Sequence, residues 1–327
     1  MSGIFGVVSK GSCVPALFYG TDYHSHLGSE YAGMSVLGED FKRQIHSIGQ
    51  TQFKSKFFQD LAGLKGKSGV GVISAFGEQP VFLNSKIGRF SIVTNGFIAN
   101  ADELASDLMS KGVSFSEVTK GQINESEVVA KLISHGESIV DGIERMFSVI
   151  QGACSLLVLS SEGIYAARDR MGYSALAIGR CGDDWAVATE TCAFPNIGFS
   201  VEKFLMPGEV VLINESGMKQ LAPGNAGTEE ICSFLWIYTG FPASSYQGIN
   251  VETVRERCGR YLARRDKDIV VDIVSGVPDS GTAHAIGYAM ESGRPFRRPL
   301  VKYTPGYGRS YIPPVQDMRD LIAKMKL

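Results

Sequence analysis

The chain opens Met1-Ser2-Gly3-Ile4-Phe5-Gly6-Val7-Val8-Ser9-Lys10-Gly11, or MSGIFGVVSKG. Chain termini are ordinarily frayed and tolerant of change. Here an apolar run, Ile4 to Val8, follows Ser2 almost at once and reads as a buried strand. A hydroxyl anchored at a terminus by a core strand suits a nucleophile that uses its own α-amine as base. The same residues also read as nothing more than a small residue tolerated at an end.

Bulk properties narrow the field. The 327 residues are enough for two domains. Hydrophobic content of 44% and charged content of 20% are those of a globular protein. A net charge of −2 gives no electrostatic footprint for nucleic acid. No apolar run approaches bilayer-spanning length, and no basic segment followed by an apolar one marks a secretory signal. The six cysteines (Cys13, Cys154, Cys181, Cys192, Cys232, Cys258) are scattered and form no CxxC, which argues against a zinc site and a disulfide framework. A cytoplasmic protein with no membrane and no nucleic-acid partner is the expectation.

Outward from the first strand, short β-type runs continue to about residue 225. Ile92-Val93, Ser155–Leu159, Gly163–Ala167, Ala175–Ile178 and Trp185–Ala188 are separated by Gly, Asp and Asn turn signals. Helices are expected over Ala99–Met109 and Glu125–Ser134, the second with Val128, Val129 and Leu132 on one face. Strands with clustered helices predict a layered α+β domain. Ala222–Thr228 is the candidate linker. Beyond it, Val251, Val254, Cys258, Tyr261 and Leu262 mark an amphipathic helix. Ile269–Val274 then predicts an apolar strand, followed by a loop, Ser275–Thr282, and a helix, Ala283–Ser292. One or two parallel strands are too few for a stable doubly wound sheet.

Four motifs carry possible chemistry, each with a plainer reading. Asn95-Gly96 after a strand offers a side-chain amide and a backbone N–H to an oxyanion, but Asn-Gly is also the strongest short hairpin signal. Pro278-Asp279-Ser280-Gly281-Thr282 offers N–H groups to a phosphate, or Asp279, Ser280 or Thr282 simply caps the next helix. Asp22, His24, His26 and Glu30 read as a metal-binding face or as a hydrogen-bonded polar one. Tyr303–Pro314, with Arg309, reads as a flap over an anionic substrate or as an unstructured loop.

Taken together these segments resemble the glutamine phosphoribosylpyrophosphate amidotransferase family over nearly the whole chain. The matches run Gly3–Val7, Asn95-Gly96 with Asn100–Leu104, Arg168-Asp169 with Gly172, Ala188–Ala193, and Pro207–Glu209. They continue through Ile231–Phe234, Pro278–Thr282, Gly287–Ala289 and Gly308–Ile312. The resemblance implies an N-terminal-nucleophile αββα sandwich over 2–225, of class II glutamine amidotransferase type. A partial α/β phosphoribosyltransferase-type domain over 226–327 would follow. It also implies ammonia release from glutamine at the chain terminus and its delivery to phosphoribosyl pyrophosphate, as in purine biosynthesis. The implied catalytic residues are Ser2, Asn95 and Gly96, and the substrate-binding positions are Ser74 and Glu125. The pyrophosphate loop and flap would use Asp279, Ser280, Gly281, Thr282, Lys302 and Arg309.

The sequence departs from the family where chemistry is most exposed to change. Ser2 replaces the family's cysteine, and a hydroxyl depends more on a neighbouring base than a thiol does. Ser74 stands where a Gly-His-x-Arg-type strand supplies an arginine to the glutamine α-carboxylate, and a hydroxyl cannot make that bidentate clamp. Glu125 replaces the aspartate that receives the glutamine α-amine. The flap lacks the family's second arginine, and no Asp-Asp followed by a small-residue phosphate loop occurs after Leu300. Cys232 matches the first iron–sulfur ligand of some members, but one cysteine cannot hold a cluster. No cofactor is therefore expected in this chain, with Mg2+ entering only beside a complete transferase domain.

Three functions compete. The first is the family reaction in an impaired form, with slow or absent glutamine hydrolysis and no phosphoribosyl transfer by this chain. The second is a non-catalytic binding or regulatory paralogue. The third is an amidohydrolase for another small amide. A homo-oligomer or a complementing chain is the expected protein partner. Ser2 acts as a nucleophile only if Met1 is removed, which a small second residue permits.

Overall fold

The computed structural model describes all residues except Met1, Ser29, Gln50, Lys120, Ala226, Thr228, 302–315 and Leu327. The contacts divide the chain into two compact units, Met1–Cys232 and Ser233–Leu327. The division falls after Cys232 rather than after residue 225. Backbone bonds explain this: Asn225 N donates to Pro207 O, Glu230 N to Met171 O and Cys232 N to Tyr173 O, so the expected linker is tied to the first unit.

The first unit begins β1 (Gly3–Val8), α1 (Val14–Asp22), β2 (Tyr31–Leu37), β3 (Phe41–Ser47), α2 (Phe53–Phe57) and β4 (Ser68–Ser74). It continues β5 (Val81–Ser85), β6 (Gly88–Ile98), α3 (Ala101–Ser110), β7 (Val118–Thr119), β8 (Gln122–Ile123), α4 (Glu125–Ser134) and α5 (Ile139–Val149). It closes with β9 (Gly152–Ser160), β10 (Gly163–Ala167), β11 (Ala177–Cys181), β12 (Asp184–Ala188), β13 (Ser200–Phe204), β14 (Val210–Asn214) and β15 (Gly217–Ala222). One sheet runs β13-β11-β12-β1-β4-β2-β3, the other β15-β14-β10-β9-β6-β5.

The two-residue period of a strand produces the layers. From β1, Phe5 and Val7 pack with Leu17 and Phe18 of α1, while Ile4 and Val8 point the other way. There they meet Leu157, Leu159 and Ile164 of the second sheet. On β9 the alternate residues, Leu156 and Val158, pack with Val129 and Ile133 of α4 and Ile143 of α5. Helix, sheet, sheet and helix thus stack as the expected αββα sandwich. Each such buried apolar side chain contributes about 1.5–3 kcal/mol. The placement of β1 in the middle of its sheet, between β12 and β4, makes the chain terminus a core element.

Among the described residues, the second unit contains a short π-helical segment (Leu235–Thr239), a two-strand ribbon, β16 (Ser245–Tyr246) with β17 (Ile249–Asn250), and three α-helices. These are α6 (Val251–Arg265), α7 (Thr282–Ser292) and α8 (Gln316–Lys326). Helices α6 and α7 touch backbone to backbone. A Cβ on Gly259 would meet the His284 carbonyl, and one on Gly287 the Glu256 carbonyl, so only glycine allows this approach. The strand expected at Ile269–Val274 is absent. Only Val274 forms a bridge, parallel to Phe296, and Ile269, Val270 and Ile273 are exposed. An apolar run becomes a strand only when a neighbour takes its backbone hydrogen bonds. Among the described residues no helix is long and apolar enough to cross a membrane.

Candidate active site

Three strands converge at the amino end of β1. Ile4 N donates to Thr189 Oγ1 at 3.2 Å, which fixes the first turn of chain into the sheet. Ser2, 8% exposed, lies beside the end of β4, and its Oγ donates to Ser74 Oγ at 3.4 Å. From the second sheet β6 brings up Asn95, whose Oδ1 accepts the Ser2 N–H at 3.1 Å. Asn95-Gly96 is therefore no hairpin turn. Both residues sit inside β6, paired with Ser155 and Cys154 of β9.

That hydrogen bond orients the Asn95 amide. With Oδ1 occupied by the Ser2 nitrogen, the NH2 group is left to donate elsewhere. Thr94 N–H turns away from β9 to Gln79 Oε1 at 2.7 Å, and strand alternation sends Gly96 N–H toward the same edge. Strand β5 pairs with β6 only as far as Ile92, so this edge is open. A Cβ on Gly96 would run into the Ala153 carbonyl, which requires glycine at that point.

The open edge borders a cavity of about 180 Å3. Ser2, Gly96 and Glu125 line it, together with Tyr31, Ala75, Phe76, Gly77, Gln79, Thr94, Gln122, Ile123, Asn124 and Ser126. Asn124 caps α4: its Oδ1 accepts from Ser126 N at 2.9 Å and its Nδ2 donates to Glu78 O at 2.7 Å. Ser126 Oγ in turn bonds Thr94 Oγ1 at 2.7 Å, so the helix start is locked to β6. Glu125 stands at the exposed rim. Loss of water raises its carboxyl pKa, and the Asp102 charge adds to the rise against an opposing Ile98 N–H bond. Ser74 is turned into its own chain, donating to the Phe76 carbonyl and accepting from Phe76 N at 3.2 Å.

The structure thus groups Ser2, Ser74, Asn95, Gly96 and Glu125. Sequence reading missed Gln79, Tyr31 and Asn124. Asn124 carries a helix-cap signal before α4; Gln79 carries none.

The Asp22, His24, His26, Glu30 group resolves as structural contacts. Asp22 pairs with Lys54 at 3.0 Å and His26 with Glu190 at 2.9 Å. Buried His24 faces Gly20 O with Nδ1 at 2.8 Å and accepts from Glu190 N through Nε2 at 3.3 Å, which assigns the neutral Nδ1–H tautomer. Burial pushes its pKa down to about 4, against the opposing Glu190 charge. The unfolded chain therefore binds the extra proton between pH 6.5 and 4. This contribution is complete above pH 6.5 and is lost as pH falls toward 4, amounting to about 3 kcal/mol. Urea midpoints between pH 7.5 and 4.5 fall more steeply for the native chain than for His24→Gln; parallel slopes would contradict this.

In the second unit, α7 starts behind Pro278–Thr282. The cap residue is Gly281, which has no side chain to make a cap bond. Gly281 N donates to Val277 O, and Thr282 N to Asp279 O. Lys302 and Arg309 lie outside the described residues. Among the described residues, no group of three or more His, Cys, Asp or Glu side chains is placed to hold a metal ion.

A glutamine amidotransferase domain model matches residues 69–196. The amidophosphoribosyltransferase of Bacillus subtilis (strain 168) is 32% identical over 337 residues, covering 99% of this chain and 69% of that enzyme. The chain belongs to the amidophosphoribosyltransferase family. The Methanocaldococcus jannaschii amidophosphoribosyltransferase is 30% identical over 351 residues, covering all of this chain and 74% of the relative. Among solved structures, the B. subtilis glutamine phosphoribosylpyrophosphate amidotransferase complexed with ADP and GMP superposes with a TM-score of 0.83. Its identity is 32%, with 98% of this chain and 70% of that one covered. The structure of an allosteric regulatory enzyme of purine biosynthesis superposes with a TM-score of 0.85 at 31% identity, covering 98% of this chain and 69% of that one. The relatives of this amidophosphoribosyltransferase-family chain are thus purine-biosynthetic enzymes, and the αββα unit is a glutamine amidotransferase domain.

Proposed function

We propose that the first unit cleaves a carboxamide and releases ammonia, with Ser2 as nucleophile. The observation that carries this is the bond from Ser2 N to Asn95 Oδ1, which joins nucleophile, base and oxyanion donor in one unit. With Met1 removed, the Ser2 α-amine takes the hydroxyl proton while Oγ attacks the amide carbon. Asn95 Nδ2 and Gly96 N–H hold the negative oxygen of the tetrahedral intermediate. Collapse breaks the C–N bond, the same proton leaves with ammonia, and an ester remains on Ser2. Water then releases the acid and restores the hydroxyl.

By analogy with the family, phosphoribosyl pyrophosphate is the proposed ligand of the second unit. The start of α7 behind Asp279, Ser280, Gly281 and Thr282, a helix N-terminus of the kind that suits a phosphate, supports this. We also propose that glutamine is a poor substrate, because Ser74 is bonded to Phe76 and Ser2 and provides no clamp. Ammonia release should therefore rise linearly with glutamine through about 1 mM, the upper end of common KM values. Saturation far below that would mean another group holds the carboxylate. No release from any amide would favour a binding paralogue.

A further inference from the structure

We propose that Gln79 is a specificity-determining residue of the amide pocket, and that its side-chain NH2 group selects uncharged amides carrying a second oxygen acceptor a few bonds away. This rests on the reading of the cavity as the amide site and adds to it a residue and a substrate class.

The register of β5 on β6, Val81 opposite Ile92, would set Gln79 opposite Thr94. The backbone has left the sheet by then, and the Gln79 carbonyl packs against Gly33 of β2. The side chain takes over as partner of the strand edge: Oε1 accepts the Thr94 N–H at 2.7 Å. A backbone N–H can only donate, so this bond fixes which end of the carboxamide is oxygen and which is nitrogen. Gln79 is 4% exposed and lines the cavity. The other buried polar side chains on its wall, Ser2, Thr94, Asn124 and Ser126, are all engaged. Ser2 Oγ bonds Ser74 Oγ, Thr94 Oγ1 bonds Ser126 Oγ, and Asn124 spends Oδ1 on Ser126 N and Nδ2 on Glu78 O. Gln79 Nε2 has no hydrogen bond among the described residues. Nor is it sealed inside protein: the sealed side-chain atoms without a partner are Ser35 Oγ, Ser91 Oγ and Ser275 Oγ. Nε2 therefore opens onto the cavity as a fixed donor. A substrate that drives water off such a donor and offers no acceptor leaves it stranded, which is costly. Two residues along a strand span about 7 Å, so the donor held at Thr94 stands apart from the Gly96 N–H and meets a different oxygen from that of the scissile amide.

The probes are butanediamide and 4-methylpentanamide. They have the same shape, but the first ends in a second carboxamide and the second in an isopropyl group. Ligand-observed NMR titration of the full chain carrying Ser2→Ala reads binding without turnover, so the result stands apart from whether Ser2 reacts. The expected result is that butanediamide binds about tenfold more tightly, the scale of one hydrogen bond and of the donor stranded without it. Adding Gln79→Glu keeps the oxygen that the Thr94 N–H needs and replaces the donor by an acceptor. It should abolish the preference. If that variant fails to fold, the assigned side-chain NH2 signals of Gln79 in the isotope-labelled Ser2→Ala chain decide: they should shift with butanediamide and stay in place with 4-methylpentanamide. Equal affinities, tighter binding of 4-methylpentanamide, a preference that survives Gln79→Glu, unmoved Gln79 signals, or binding of neither probe would overturn the proposal. The expected preference with no ammonia release by the native chain would instead sink the catalytic reading and leave the role of Gln79 standing.

Discussion

Ser2→Ala reduces ammonia release from any accepted amide by about 10^4-fold or more, the scale on which serine nucleophiles fail when removed. The substitution deletes one oxygen from a residue that is nearly buried between β4 and β6. It leaves the Ser2 nitrogen and its bond to Asn95 Oδ1 in place, so folding and binding persist. The comparison therefore separates nucleophilic attack from simple positioning. Retention of Met1 should cost about as much, because the nitrogen bonded to Asn95 would then be an amide and no base. Ser2→Cys should keep activity, since a thiol needs less help from that base. Ammonia assays on the three proteins, with the N-terminal residue of each established by intact mass, check this directly. Equal rates in the native chain and Ser2→Ala would refute it.

Asn95→Asp lowers kcat about 100- to 1000-fold with little change in KM, the usual cost of one lost oxyanion donor. The replacement has the same shape, and one oxygen still accepts the Ser2 N–H. What is lost is the NH2 group, replaced by an oxygen where negative charge develops in the transition state. A purely structural role for Asn95 predicts a different pattern, with lowered thermal stability and an unchanged kcat in the molecules that remain folded. Gly96→Ala is a blunter change, because its Cβ meets the Ala153 carbonyl on β9 and displaces β6.

Much of the first unit was legible in its strands. Ile4–Val8 and Ser155–Leu159 are nearly continuous apolar runs because sheets and helices cover them on both faces. The helix Glu125–Ser134 was readable from its apolar face, and its start is fixed by Asn124. Asn95-Gly96 was ambiguous because the dipeptide signals a turn wherever pairing does not override it. In this chain β9 supplies that pairing from Phe90 to Ile98 of β6. Gln79 was invisible, since its role depends on meeting Thr94 across the sheet. Ile269–Val274 misled for the reverse reason: its residues have strand character, but only Val274 finds a neighbour among the described residues. Asp22, His24, His26 and Glu30 read either as a metal-binding face or as a hydrogen-bonded polar one; the local bond of His24 to Gly20 and the long-range bond of His26 to Glu190 fit the second reading.

The central claim is that Ser2 is an N-terminal nucleophile in an intact oxyanion site. The most direct measurement is the mass of the amino-terminal peptide after acid quenching during turnover of the amide that releases ammonia fastest. The account predicts a peptide that begins at Ser2 and carries the substrate's acyl group as an ester on that residue. Ammonia release with Met1 still attached, or with no acyl group on Ser2, would contradict it.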